Sequence, residues 1–320
     1  GDSYDGNHAT FGGALLTFDT LTLSRTVLTD NSAALAGGGA YVDGALTIAR
    51  TRFGGNAALL GGALFQPPVT ARAAIHGLPR PTREAGFVAG ADARAPLAAA
   101  GTIVNTLFDA NTALVNGAAL YLLRSEPLSI AHATFANATV TPGSAIVISH
   151  TAHTAISNTI ITSHTTAISL AAGTLEGTHT LFFGVGATVG GPDAGSAMLL
   201  NSLAGDPHFV NPAADNYRLR ATSPAVDAAT PLGIAKDLDG SARPSGLAPD
   251  IGAYERLQTP NAIELADFRA VAQPDGSVQA TWETAAEIDL AGFMLYRSAA
   301  AQFDPAAAVA DVGALPGALP

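Results

Sequence analysis

The side chains able to carry chemistry are few and scattered. Five of the eight histidines stand at 132, 150, 153, 164 and 179, and among these only His150-x-x-His153 has a spacing that suits a metal. That pair lies in a turn-rich stretch and lacks a third ligand at metal spacing, so these histidines read as solvated turn residues. Glycoside hydrolysis needs two carboxyl groups about 5–9.5 Å apart. Asp30, Asp43 and Asp109 recur at unlike places and supply no stacked pair. Arg50 and Arg52 could serve as a lyase base, but no acidic cluster follows them in sequence. Asp237-x-Asp239-Gly240 has the start of a calcium loop without the later acidic ligands, and it reads first as an Asx-type turn. No residue is assigned a catalytic role, and calcium at Asp237 and Asp239 is the one cofactor to consider.

Composition narrows the classes further. The 320 residues include no cysteine, 48% apolar residues and 13% charged residues, with a formal net charge of −11. That apolar content excludes a disordered chain. The acidic balance and the absence of basic clusters argue against nucleic acid as a partner. No apolar run approaches the roughly 18 residues of a membrane span. Gly1 falls inside a repeat and the tail from Gly313 trails off in Gly, Ala and Pro, so the chain reads as a piece of something longer.

The elements that must position these residues repeat. Asn7, Asn31, Asn56, Asn111 and Asn137 are each followed by a small-residue block ending in Ala14, Ala40, Ala63, Ala119 and Ala145, with a degraded copy at Ala167. A second segment follows each block and ends at Leu28, Phe53, Phe108, Phe135, Ile161 and Phe182, at intervals of 25, 55, 27, 26 and 21 residues. Two positions earlier stand Thr26, Thr51, Thr106, Ala133, Thr159 and Thr180, which share parity with the Phe column and should face inward. That parity speaks against a threonine-based ice-binding face. Between the apolar positions runs a polar column, Arg25, Arg50, Asn105, His132, Asn158 and His179, expected at a bend that reaches solvent. Short strands with period 2, recurring about every 25 residues, specify stacked coils of a parallel β-helix, like residues lying about 4.8 Å apart along the axis. The glycines before each Ala mark tight corners. The asparagines are expected at another corner, in left-handed conformation, with side-chain amides bonded along the stack.

The pattern GGAL…LTI.RT.F..N over residues 1–185 resembles the right-handed parallel β-helix repeats of the pectin-lyase-like and polymorphic outer-membrane-protein group. The right hand, and export to a bacterial surface, are what that resemblance implies. The fold hosts lyases, hydrolases and adhesins alike and does not by itself name an activity. Residues 205–256, from Gly205-Asp-Pro-His through Asp250-Ile-Gly-Ala-Tyr-Glu255, resemble a choice-of-anchor Q segment, which implies cell-surface attachment. Residues 186–256 are expected to cap the coils, with Arg243 paired to Asp250 or Glu255. Residues 260–320 alternate like antiparallel strands around the turn Pro274-Asp275-Gly276 and look like part of a fibronectin-III-like sandwich, with Trp282 in its core.

The 55-residue interval between Phe53 and Phe108 is read as one coil interrupted by a loop over 66–100, with a cryptic coil as the alternative. After each Ala, one of two apolar columns must point outward. Tyr41, Phe65 and Tyr121 lead that stripe, which is expected either to lie under the loop or to contact a ligand. The fold class is thus all-β: a single right-handed parallel β-helix of six or seven coils with an incomplete sandwich-like piece after it. The favoured function is a non-catalytic exported surface module, a stalk, adhesin or glycan-contacting scaffold. The alternative is a polysaccharide lyase or glycoside hydrolase with a site under the 66–100 loop. Partners would be a polysaccharide or another surface protein, and the place the bacterial exterior.

Overall fold

The computed structural model describes residues 1–68, 101–123, 126–149, 153–257 and 264–286, with backbone alone at 264–266 and 283–286. Two compact units divide the chain, 1–257 and 258–320.

The first unit is a parallel β-solenoid of about seven turns. Like residues stack in register because each strand pairs with its equivalent one coil away: Leu23 with Ile48, Ile48 with Ile103, Ile103 with Ile130 and Ile130 with Ile156. The Phe column runs the same way, Leu28–Phe53–Phe108–Phe135–Ile161–Phe182. Phe53 and Phe108 stack at 5.1 Å between ring centroids, and Phe108 and Phe135 at 4.6 Å. Each fully buried Phe contributes on the order of 1.5–3 kcal/mol. Because Phe53 lies directly on Phe108, the 55-residue interval is one coil plus an insertion and not two coils. The insertion leaves after the strand Leu64–Gln66, which pairs directly with Leu120–Leu122. Residues 69–100 lie outside the described set, so the expected cover over the outward stripe is not part of this description.

Single residues in left-handed conformation make the bends. One corner is the polar column, with φ of 54° at Arg25, 51° at Arg50, 48° at Asn105, 49° at His132, 50° at Asn158 and 48° at His179. Asn and His tolerate this region better than most residues. The second corner differs from expectation by one position. The left-handed residues are Gly6, Asp30, Gly55 and Ala110, each immediately before its asparagine. That bend frees the asparagine side chain to point into the coil. The third corner carries Gly12, Gly37, Gly61 and Gly117 at positive φ. The glycine after it is needed for close approach, since a Cβ on Gly38 would lie 2.3 Å from the Gly62 carbonyl oxygen.

Two sequence alignments need correction. Ala40 pairs with Leu15 and Leu64, so the small column reads Ala14, Gly39, Ala63 and the second coil is offset by one. The slip arises because Gly37-Gly38-Gly39 offers two ways to place a glycine pair. The solenoid also continues past 185: Ala197–Leu200 stacks on Leu175–Thr178, and Leu203–Ala204 on Leu181–Phe182. Asn201, with φ 50°, extends the polar column by one coil.

The inward threonines are all buried, and each Oγ1 donates to the carbonyl two residues back, as in Thr51 to Ala49 at 3.1 Å and Thr106 to Val104 at 3.0 Å. In the second unit, Glu264–Ala272 and Val278–Ala286 form an antiparallel hairpin in which Phe268 faces Trp282. Trp282 is half-buried rather than enclosed. The rest of the stretch expected to form a sandwich-like piece, residues 287–320, lies outside the described residues.

Candidate functional site

An internal ladder and a covered flank account for most of the polar side chains. In the ladder, Asn7 Nδ2 donates to Asn31 Oδ1 at 2.9 Å, Asn31 to Asn56 at 3.0 Å and Asn56 to Asn111 at 3.0 Å. The second amide hydrogen of each bonds a carbonyl of the preceding bend, as Asn56 Nδ2 to Leu28 O at 2.9 Å. Stacked amide ladders of this kind reinforce parallel strands. The amide-to-amide bonds end at Asn111; one coil on, Asn137 Nδ2 bonds Thr141 Oγ1 at 2.6 Å and His164 Nε2 at 3.2 Å, and His164 Nδ1 donates to Thr162 O at 2.7 Å. These partners fix the neutral Nδ1–H tautomer, and burial pushes the His164 pKa down to about 4. His164 is therefore a ladder residue and not a solvated turn residue.

The polar corner column does not reach solvent along its middle. Asn105, His132 and Asn158 are buried because residues 205–257 run back along the flank of the coils. Asn158 bonds Thr230 in both directions, Ala253 N donates to Thr134 Oγ1 at 3.0 Å, and Arg50 Nε donates to Leu238 O at 3.3 Å. Ile251 and Ala225 pack on Ile160 and Leu181, while Tyr217 and Tyr254 pack on Leu107 and Ala136. The segment expected to close the end of the rod thus contributes a side cover across several coils.

Arg243 lies at the centre of that cover. Its Nη1 is 3.1 Å from Glu255 Oε2 and donates to the Asp250 carbonyl at 2.6 Å, and its Nη2 donates to the Gly252 carbonyl at 3.1 Å. The Asp250 carboxylate instead accepts the backbone N–H of Asp227 at 2.8 Å and of Arg256 at 2.6 Å. Burial pushes the Asp250 carboxyl up to about 7, and the Glu255 carboxyl also upward. His132 Nδ1 stands 2.7 Å from Arg243 Nη1, and both face the Asp250 carbonyl. Asn158 Nδ2 donates to His132 Nε2 at 3.0 Å, which leaves the proton on Nδ1. Burial first, and the Arg243 charge second, push the His132 pKa down to about 3. This histidine too is enclosed rather than solvated.

Asp237 is buried and accepts Gly240 N at 2.8 Å, Ser241 N at 2.7 Å and Glu255 N at 2.9 Å. That is an Asx turn whose carboxylate is filled by three backbone donors. Asp239 faces away and pairs with Arg218 at 2.5 Å. Among the described residues, no three His, Asp or Glu side chains gather as metal ligands.

Arg52 does have acidic partners, which the sequence order hid. Its Nε and Nη2 grip Asp109 at 2.9 and 2.6 Å, and the same Nη2 lies 2.9 Å from Asp215 Oδ2. Burial pushes the Asp109 carboxyl up and the Arg52 charge opposes it. Asp109 also helps push the Tyr217 hydroxyl upward, although burial is the larger cause. Asp215 arrives from the flank segment 163 residues after Arg52, so no local spacing could have shown the pair.

The outward stripe is an aromatic stack: Tyr41 on Phe65 at 5.4 Å and Phe65 on Tyr121 at 5.6 Å, with Phe11 edge-on to Tyr41. Tyr41 is 2% exposed and Phe65 7%, with Leu16, Phe18 and Leu60 packed against them. These two rings are packed residues with no face open to a ligand, and Tyr121 is half-buried. His153 is exposed beside Thr174 Oγ1, while His150 lies outside the described residues.

One open groove of about 450 Å3 lies where the flank segment meets the coils. The exposed ring of Phe183 and the corner residues Asn137 and Ser163 form one side, and Asp206, His208 and Arg220 form the other. The sequence signal was available: Phe182 and Phe183 are successive strand residues, so one of them had to point outward.

No family model, no curated protein and no solved structure matches the chain. Fold and geometry define its class, a parallel β-solenoid with a side-mounted polar cover.

Proposed function

We propose that the chain is a non-catalytic, exported scaffold of a bacterial surface protein, a stalk or adhesin module that presents a rigid flank to glycans. One observation carries this reading: a cluster of buried ionic and imidazole groups is consumed in holding the cover to the coils. Arg243, Asp250, Glu255, Asp237 and His132 all bond across that junction or within it, and Asp109 is gripped by Arg52. Such groups give a rod stiffness and a fixed side surface. The resemblance of the repeat to surface β-helix proteins, and of residues 205–256 to a choice-of-anchor Q segment, supports export and attachment. The partial likeness of residues 260–320 to a fibronectin-III-like domain suits a spacer in a modular surface chain.

Surface labelling of cells expressing the protein, combined with assays for uronate-polymer cleavage and neutral-polysaccharide hydrolysis, tests this. The expected result is exposure at the surface with no turnover. Cleavage of any polymer that is lost on Arg52→Ala would favour the enzyme reading. That second reading has one structural foothold, the two carboxylates of Asp109 and Asp215 at a single guanidinium.

A further inference from the structure

We propose that the groove between the coils and the 206–222 segment is a binding site for a neutral sugar unit of a glycan. The inference rests on the glycan-contacting part of the scaffold reading and gives it a place. Three features of the groove argue for it.

The first is its platform. Phe182 points into the core and Phe183, the next residue on the same strand, is 41% exposed at the groove. An exposed aromatic face beside polar groups suits the C–H face of a pyranose, and the volume falls in the usual small-ligand range of about 300–1,000 Å3.

The second is the set of polar groups opposite. One carboxylate oxygen of Asp206 accepts His208 N at 2.8 Å, which orients the carboxylate while leaving further lone pairs for hydroxyl donors. His208 Nδ1 lies 2.9 Å from the Thr222 carbonyl, which keeps its proton there and makes Nε2 an acceptor. Ser163 adds a hydroxyl to the lining from the coil side. Acceptors dominate, which suits a ligand rich in O–H donors.

The third is charge. The lining includes one cation, Arg220, and its Nε and Nη2 are committed to the carbonyls of Phe209 and Val210. Asp206 in the same lining offsets the Arg220 charge, so the groove has no surplus cation that would favour a uronate over a neutral sugar. The walls are also fixed in advance. Pro207 and Pro212 stiffen one side, the antiparallel pair Phe209–Asn211 and Asn216–Leu219 continues it, and the other side is solenoid. A preformed groove loses little entropy on binding.

Calorimetric titration of the whole chain with trisaccharides of glucose, galactose and mannose, and with trigalacturonate, tests the proposal. At least one neutral trisaccharide should bind, tenfold or more weaker after Phe183→Ala and after Asp206→Asn, with trigalacturonate weaker still. Leu114→Ser, an exposed position outside the groove lining, should bind as the unsubstituted chain does, and a thermal melt of each variant separates lost binding from lost fold. Binding by no neutral trisaccharide, or neutral binding that survives both groove variants, overturns the site and leaves the stalk reading standing. Stronger binding of trigalacturonate than of any neutral sugar overturns the assignment of ligand class.

Discussion

Asn137 Nδ2 lies 3.2 Å from His164 Nε2, which puts a histidine on the rung next to an asparagine ladder that spans the earlier coils. The ladder accepts it because the neutral ring reproduces the amide pattern, with Nδ1–H as donor and Nε2 as acceptor.

Protonating that ring removes the acceptor. The folded-state pKa is about 4 against an ordinary 6.5, so the group contributes stability above pH 6.5 that is lost as pH falls towards 4. The full contribution is on the order of 3 kcal/mol. His164→Asn should flatten this acid limb while keeping the rung, as denaturant melts at pH 7, 5.5 and 4.5 would show. An unchanged acid limb would mean that the histidine is not neutral on the ladder.

Asp250 works in the opposite direction. Its carboxyl is raised to about 7, so its contribution is complete below the ordinary carboxyl pKa near 4 and is lost as pH rises through about 7. Hydrogen exchange over residues 225–256, corrected for its intrinsic pH dependence, should quicken as pH rises from about 4 to about 7, because the deprotonated carboxylate is buried near Glu255 and Asp227. Asp250→Asn should abolish that dependence. It should also cost about 1–3 kcal/mol, since one of the Asp227 and Arg256 donors loses its acceptor.

Removing the Arg243 side chain leaves Glu255 buried without its cation. Arg243→Met should destabilise the chain by about 3–5 kcal/mol. Exchange protection should fall first at Thr230, Asn158 and Ala253, where the cover is bonded to the coils. Uniform loss of protection throughout the solenoid would instead show that cover and coils melt together.

Phe108 is held between Phe53 and Phe135 at 5.1 and 4.6 Å. Phe108→Ala should cost about 3–5 kcal/mol in equilibrium unfolding. Because each coil touches only its neighbours, protection should drop in the adjacent coils more than at the ends. Leu28→Ala, nearer the end of the stack, should cost less.

What could be read in advance follows from distance along the chain. The Phe, Ile and Thr columns were legible because stacking places like over like, and a repeat writes that into the sequence. The ladder was legible as far as residue type persisted. Its bonds end at Asn111, because Asn137 follows Phe135 by two positions where Asn111 follows Phe108 by three, and in the next coil the third position is His164. The course of the cover along the flank was not legible. Contacts such as Asn158 with Thr230 and Arg52 with Asp215 join residues far apart in sequence, and no period records them. The surface fate of Tyr41 and Phe65 was unreadable for the same reason, since alternation shows that a side chain points outward and not what packs on it.

Phe53 stacks on Phe108 at 5.1 Å and Phe108 on Phe135 at 4.6 Å, although the chain takes 55 residues over the first step and 27 over the second. Extra polypeptide after Gln66 therefore leaves the alignment of the rod intact. The third coil behaves as a docking port in the sequence: cargo of differing length or chemistry could be exchanged there by recombination or by design, without renegotiating the core that carries it.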